Sequence, residues 1–447
     1  METERKVSAK QYTVQLSRLA ICAYTCLAFL LHLFTYELSA TVYCLTLIGL
    51  VFVFAVAKPV VLHSMPPVYL YAWLASLIVL LTNYLFRYKS NAVLIDVSVL
   101  LSGFVVISCI SQKSDDYTAA LSVIRKMTIF FAVGVMIQSL IPSVYSVIIQ
   151  LFPPHIRNSL RSGLSGVGKI KGFTTNPGFT AGYIVAGIFA VYAFGLRDYN
   201  IRKRNLVTIL LLFVALLMTR KRGPLLFMVL TIAIVQILPE RGTKRFKKLW
   251  FGLMSVLAII VFFLLFQDIL AQIPLLSRMV VSIQGFLSGE DVTNGRSRLT
   301  IWALQLFRRN PVYGIGWGRY RTTTIGNATL TKSLDTHNVF LQLLCETGII
   351  GFAAFTLVFV LSWNMTRKGY CDCIRTEDPN LKKWAQPLFF SFAFQTYFLL
   401  YCLTGNPLYD QFYQILYALS CSIAVAYNYF FKRNWRRETY STNLPRR

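Results

Sequence analysis

Residues 67–86 read PVYLYAWLASLIVLLTNYLF, twenty positions without one acidic or basic side chain. A helix of that length rises about 30 Å, the thickness of a bilayer's hydrocarbon core. Windows of this kind recur along nearly the whole chain. Of its 447 residues 55% are hydrophobic and only 14% charged, against about 25% charged in a soluble domain. The pattern predicts an all-α polytopic membrane protein and excludes a soluble multidomain enzyme. Spans are expected near 17–36, 40–57, 67–86, 92–110, 124–145 and 177–195, then near 204–219, 223–239, 249–267, 338–363, 384–404 and 412–431. That makes about twelve helices.

The first window begins near residue 17 and no small-residue cleavage site follows it, so it reads as a retained span. The nine Cys fall mostly inside apolar windows, with Cys371 and Cys373 in a basic loop. Buried or reduced thiols are expected, since neither a disulfide framework nor a zinc set has the needed spacing.

Lys and Arg set the orientation. The N-terminal tail, the C-terminal FKRNWRRETYSTNLPRR and three internal loops are basic, and an even number of spans puts all five on one side. Both termini are therefore expected in the cytoplasm. The organisation that follows is a cytoplasmic tail over 1–16, nine helices over 17–267, an extracytoplasmic loop over 268–337, three helices over 338–431 and a basic cytoplasmic tail over 432–447. Arg125 and Lys126 are expected at the cytoplasmic flank of the fifth span.

Part of the net charge of +27 is this positive-inside signal. The remainder breaks it. PPHIRNSLRSGLSGVGKIKG, the turn TRKRGP with Arg220, Lys221 and Arg222, and the loop with Arg296, Arg298, Arg308, Arg309, Arg319 and Arg321 are all basic on the side predicted to face outward. Arg grips phosphate with a bidentate fork and Lys as a point charge, so a lipid-linked phosphate or diphosphate is a fitting partner. For scattered residues such as Arg308 and Arg321, snorkelling to membrane headgroups is the plainer reading. Nucleic acid is not expected as a partner there.

Within the long loop, RSRLTIWALQLFRR over 296–309 reads as an amphipathic helix with Leu299, Trp302, Ala303, Leu306 and Phe307 on one stripe, stopped by Pro311. PVYGIGWGRY follows, its alternating glycines suited to tight turns. Then comes LDTHNVFLQLLCETGIIG, from Leu334 to Gly351. On a helix starting near Asn338, His337, Leu341, Leu344 and Gly348 share one face and Glu346 lies on the opposite one. Gly348 and Gly351 suit the close approach of a neighbouring helix. A neutral imidazole at the water boundary can act as a base. Asp96 and Glu346, the acidic residues placed well within spans, are expected to hydrogen-bond between helices.

His337-Asn338, nine residues, Gly348, two residues and Gly351 resemble the signature of the O-antigen ligase and O-antigen polymerase superfamily. Arg222 to Leu226 in RGPLL is similar to a second signature, Arg, three residues, Leu, with Pro224 where small residues are usual. NPGFTAGY from Asn176, GRSRLTIWAL from Gly295 and NPVYGIGWGRY from Asn310 resemble family segments in the same order. The likeness spans roughly 170–360.

The resemblance implies an inverting, metal-independent glycosyltransferase of GT-C-like fold in the bacterial inner membrane, needing no cofactor. Its donor would be an oligosaccharide on undecaprenyl diphosphate and its acceptor a glycan or lipid-linked glycan, taken among membrane lipids at the extracytoplasmic face. Carried over, Arg222 would bind the diphosphate and His337 would activate the acceptor hydroxyl. Arg220, Lys221, Arg296, Arg298, Arg319 and Asn338 would support substrate binding. Polymerisation of O-antigen or capsular repeat units is preferred, with ligation to lipid A core as the alternative. A transporter or exporter of lipid-linked glycan is the rival from another class. The lack of half-to-half likeness and the single long outer loop speak against it.

Overall fold

The computed structural model describes residues 17–30, 65–89, 91–109, 111, 113–165, 170–195, 199–248, 250, 252, 254, 296–323 and 335–442. The chain is an all-α membrane protein, and no strand occurs among the described residues. Among the described residues five helices are long and apolar enough to cross a bilayer: α2 (Pro67–Phe86), α4 (Ser114–Leu140), α7 (Pro177–Phe194), α11 (Val339–Arg375) and α13 (Gln411–Thr442) over its first part to Phe431. Shorter apolar stretches lie in α1 (Ser17–Leu30), α3 (Asn91–Cys109), α8 (Tyr199–Met218) and α9 (Arg222–Ile237). The expected span at 40–57 lies outside the described residues, as does that at 249–267 apart from three positions. Two amphipathic pieces, α6 (Pro154–Ser165) and α10 (Arg296–Arg309), and the uncharged α12 (Ala385–Cys402) complete the set discussed below, with α5 (Pro142–Ile148) a short helix beyond α4.

Local signals explain the boundaries. Pro67, Pro142 and Pro177 stand in first turns, where a missing N–H costs nothing. Asn176 caps α7 by accepting from the Gly178 N–H at 2.8 Å. The fifth span differs from expectation. It starts at Ser114 and ends at Leu140, because Asp115 and Asp116 in its first turn complement the helix dipole. Arg125 and Lys126 are thus inside α4 rather than at its end. Arg125 lies over the ring of Phe194, the last residue of α7, at 5.1 Å. α11 and α13 also overrun the expected ends at 363 and 431. Cys371 and Cys373 consequently sit buried on a helix, not in a loop, and they are free thiols, as are Cys22, Cys26, Cys345, Cys402 and Cys421.

Lipid tails are as apolar as leucine, so close packing rather than apolar burial holds such helices together. Of its most apolar window, 78% is buried for α13 and 72% for α7, against 39% for α2, which puts the first two at the centre and α2 at the rim. A side chain at Gly187 of α7 would run into Thr128 of α4, and one at Gly182 into the Tyr413 hydroxyl of α13. α12 packs on α13, α11 and α9, α11 on α2, and α13 on α3.

α10 forms with the expected bounds. Leu299, Ala303 and Leu306 are buried, and Trp302 and Phe307 pack on the same small cluster, which includes Cys345 of α11. The apolar stripe therefore faces α11. The Trp302 indole N–H donates to Thr323 Oγ1 at 3.0 Å, and the Tyr320 hydroxyl donates to the Leu299 carbonyl at 2.9 Å.

Candidate active site

The site is built around a break in α11. Gly348 has φ 65 and ψ −168, a left-handed-side conformation that interrupts the helical ladder. Backbone groups freed at such depth must find protein partners. Residues 311–316 supply them. The Ile315 and Gly316 N–H groups donate to the carbonyls of Cys345 and Glu346 at 3.0 and 2.9 Å, and the Ile349 N–H donates to the Pro311 carbonyl at 2.9 Å. A Cβ at Gly314 would strike the Glu346 backbone, and one at Gly348 the Val312 carbonyl. Gly348 therefore admits a loop, not the helix expected from its spacing. At Gly351 the neighbour is α2, with Val79 at 2.9 Å from an added Cβ.

Both intramembrane acids hold this loop. Glu346, with no exposed surface, accepts from the N–H of Gly318 at 2.9 Å, the N–H of Tyr320 at 3.1 Å and the Tyr409 hydroxyl at 2.7 Å. Asp96 of α3 accepts from the Trp317 indole at 3.0 Å and from Gln414 of α13 at 3.3 Å. Trp317 is fully buried and stacks on Tyr409 at 4.5 Å and Phe355 at 5.6 Å. The Asp96–Gln414 bond joins helices as expected. The other contacts anchor a loop.

His337 is not on the face of α11. It precedes the cap residue and takes φ 56, so the shared face with Leu341, Leu344 and Gly348 does not exist. Two neighbours make this turn. Thr336 Oγ1 donates to the Asn338 carbonyl at 2.7 Å and accepts the Asn338 N–H at 3.1 Å. Asn338 Oδ1 accepts from the Leu341 N–H at 3.1 Å, which commits that side chain to capping. His337 is half-buried. Burial pushes its imidazole below the usual range, Arg296 and Lys221 push it the same way, and Asp335 opposes them. Burial and both cations therefore favour the neutral ring, the form that can accept a proton.

Two predicted residues from separate segments, Lys221 and Arg296, thus each bear electrostatically on a third, His337. Arg296 also points a guanidinium N–H at the Thr404 carbonyl at 3.5 Å. Arg222 opens α9 and is exposed, while Lys221 and Arg220 are half-buried. Arg220 has φ 55, and its Nε is buried with no hydrogen-bond partner among the described residues. Arg298 and Arg319 are exposed, and Arg319 leans back to the Ile315 carbonyl at 3.4 Å.

Several residues beside this set have no marking in their own sequence neighbourhood. Arg321, read as a scattered surface charge, forms a fork with Asp335 at 2.6 and 2.9 Å and lies 6.0 Å from the Tyr409 ring centre. Asp410 stands half-buried between α12 and α13. Burial pushes its carboxyl up to about 7, against the Phe412 and Tyr413 N–H groups and Arg321. One signal was available: Asp410 is the one acidic residue between the last two expected spans.

Residues 207–356 match the family model described as O-antigen ligase. Over this third of its length the chain is similar to the O-antigen ligase superfamily. Among curated proteins none matches it. The matched segment contains Arg220 to Arg222, Arg296, α10, the inserted loop, His337 and the Gly348 break. Its apolar helices together with this similarity point to a multi-pass inner-membrane protein and a membrane glycan-transfer enzyme, acting on a lipid-linked glycan and an acceptor.

Proposed function

We propose that this protein is an inverting glycosyltransferase that takes a glycan from undecaprenyl diphosphate and joins it to a sugar hydroxyl, polymerising O-antigen or capsular repeat units. The observation that carries the reading is a neutral, conformationally held His337 within reach of Lys221 and Arg296. In this reading His337 takes the proton of the acceptor hydroxyl as that oxygen attacks the anomeric carbon. The bond from that carbon to the diphosphate oxygen breaks, and the diphosphate leaves with the electron pair. Lys221, Arg222, Arg220 and Arg296 offset the developing charge, which makes the displacement independent of a metal ion. A single displacement inverts the anomeric centre. The site end of the bundle faces away from the cytoplasm and both termini face into it, in keeping with the distribution of Lys and Arg.

The test is reconstitution in liposomes with a lipid-diphosphate-linked repeat unit and EDTA, following products by gel for wild type, His337→Ala and Arg222→Ala. A glycan ladder from the wild type that is lost in both folded variants is expected. Transfer to added lipid A core without a ladder would make the protein a ligase, the activity that the matched model's description names. Transfer surviving both substitutions would overturn the site, and a wild type without any transfer would favour transport of the lipid-linked glycan instead.

A further inference from the structure

His337 stands on the connector residues 335–338 that lead into α11, and something must keep them still. Gln342, fully buried in the first turn of α11, is bonded on both sides of its carboxamide. Its Oε1 accepts from the Thr336 N–H at 3.3 Å and from the Asn406 amide, which lies in the connection between α12 and α13. Its Nε2 donates to Asp335 at 3.2 Å and to Glu346 at 3.4 Å. Asp335 is the partner of Arg321, and Glu346 is the anchor of the inserted loop. One side chain therefore ties the two residues before His337 to α11, to the α12–α13 connection and, through Asp335 and Glu346, to the segment over 311–321. Thr336 passes the constraint on, because its hydroxyl closes the turn around His337.

We propose that Gln342 is a positioning residue for glycosyl transfer: acting through Thr336 and Asp335, it holds the His337 ring at a fixed place opposite Lys221 and Arg296. The inference rests on the proposed function for its kinetic side, and its structural side stands without it. A uniquely satisfied amide is a stringent device, since its two ends are not interchangeable and each buried partner is costly to orphan. Loss of the tie frees the connector without removing any charge that faces His337, namely Lys221, Arg296, and Asp335 with its Arg321 partner. A displacement of about 1 Å is enough to cost about 100-fold in rate.

The experiment uses the full chain in liposomes with Gln342→Met, Thr336→Val and Thr336→Ser, each checked for its thermal midpoint. Diethyl pyrocarbonate modification of the His337 peptide, followed by mass spectrometry across pH, reports the ring without any need for activity. In Gln342→Met and Thr336→Val the midpoint of modification is expected to rise towards that of a free imidazole, because a loosened ring loses its burial. Turnover should fall about 10- to 100-fold while the donor KM stays within about threefold. Thr336→Ser, which keeps the hydroxyl, should match the wild type in both readouts. A folded Gln342→Met protein with wild-type titration, or with a raised KM and unchanged turnover, would overturn the proposal. Should Gln342→Met not fold, Thr336→Val decides by the same criteria. A wild type without any transfer would count against the proposed function alone, and the His337 titration would still decide the positioning role.

Discussion

His337 carries two features that together set its chemistry, a left-handed backbone and a half-buried ring beside two cations. Few side chains tolerate positive φ, and Asn is among those that do. Of the residues near the ring, Lys221 and Arg296 disfavour the imidazolium and Asp335 favours it. The sign of each variant follows. In the proposed mechanism the neutral ring is the active form, so turnover is expected to fall as pH drops through its pKa, which lies below the usual imidazole range. Lys221→Met removes a cation, raises that pKa and moves the acid limb of kcat/KM to higher pH. Asp335→Asn removes the opposing carboxylate and frees Arg321, so the limb moves to lower pH. A pH–rate series on the reconstituted enzyme measures both, and limbs that shift the same way would contradict the electrostatic account. At this scale the His-Asn pair and the RKRG turn were legible because both are local. Gln342 and Asp335 were not, because a Gln or Asp is marked only by what it touches.

At the scale of elements, α11 is two helical pieces joined at Gly348 with a loop hydrogen-bonded into the gap. The glycines differ in what they tolerate. Gly314→Ala combines positive φ with a collision against the Glu346 backbone, whereas Gly242→Ala has positive φ and nothing within 4 Å of the new methyl. The second should cost about 1 kcal/mol, from backbone strain alone. The first should exceed it by at least about 2 kcal/mol, since backbone cannot yield as a side chain does. Thermal unfolding of the two variants in detergent compares them directly, and equal losses would mean that the loop is not seated in the break. α10 was legible to the residue, because a stripe of period 3.6 is written in the chain itself. The interruption of α11 was not: its apolar pattern runs on past Gly348, and a glycine spacing is equally compatible with a neighbouring helix.

For the whole molecule, the central helices α7 and α13 are packed on nearly every side, and the polar site gathers at one end of the bundle, where α9, α11 and α13 begin and α12 ends. This predicts a labelling pattern. Ser297→Cys, at the exposed start of α10, should react with a membrane-impermeant maleimide in intact spheroplasts. Lys382→Cys, exposed between α11 and α12, should react only after permeabilisation. The reverse pattern would invert the orientation and put the site on the cytoplasmic side. Membership of the bilayer, the positions of most described helices and the amphipathic α10 were determined by the sequence alone, because hydropathy and helical period act over one or two turns. Tertiary structure alone decided that His337 leaves the helix, that Glu346 and Asp96 hold a loop, and that Lys221 and Arg296 bear on the imidazole. Those contacts join partners far apart in the chain, 28 positions for Glu346 and Gly318, 63 for Glu346 and Tyr409, and 221 for Trp317 and Asp96. A buried polar group must be satisfied, but only the folded packing determines which distant group satisfies it.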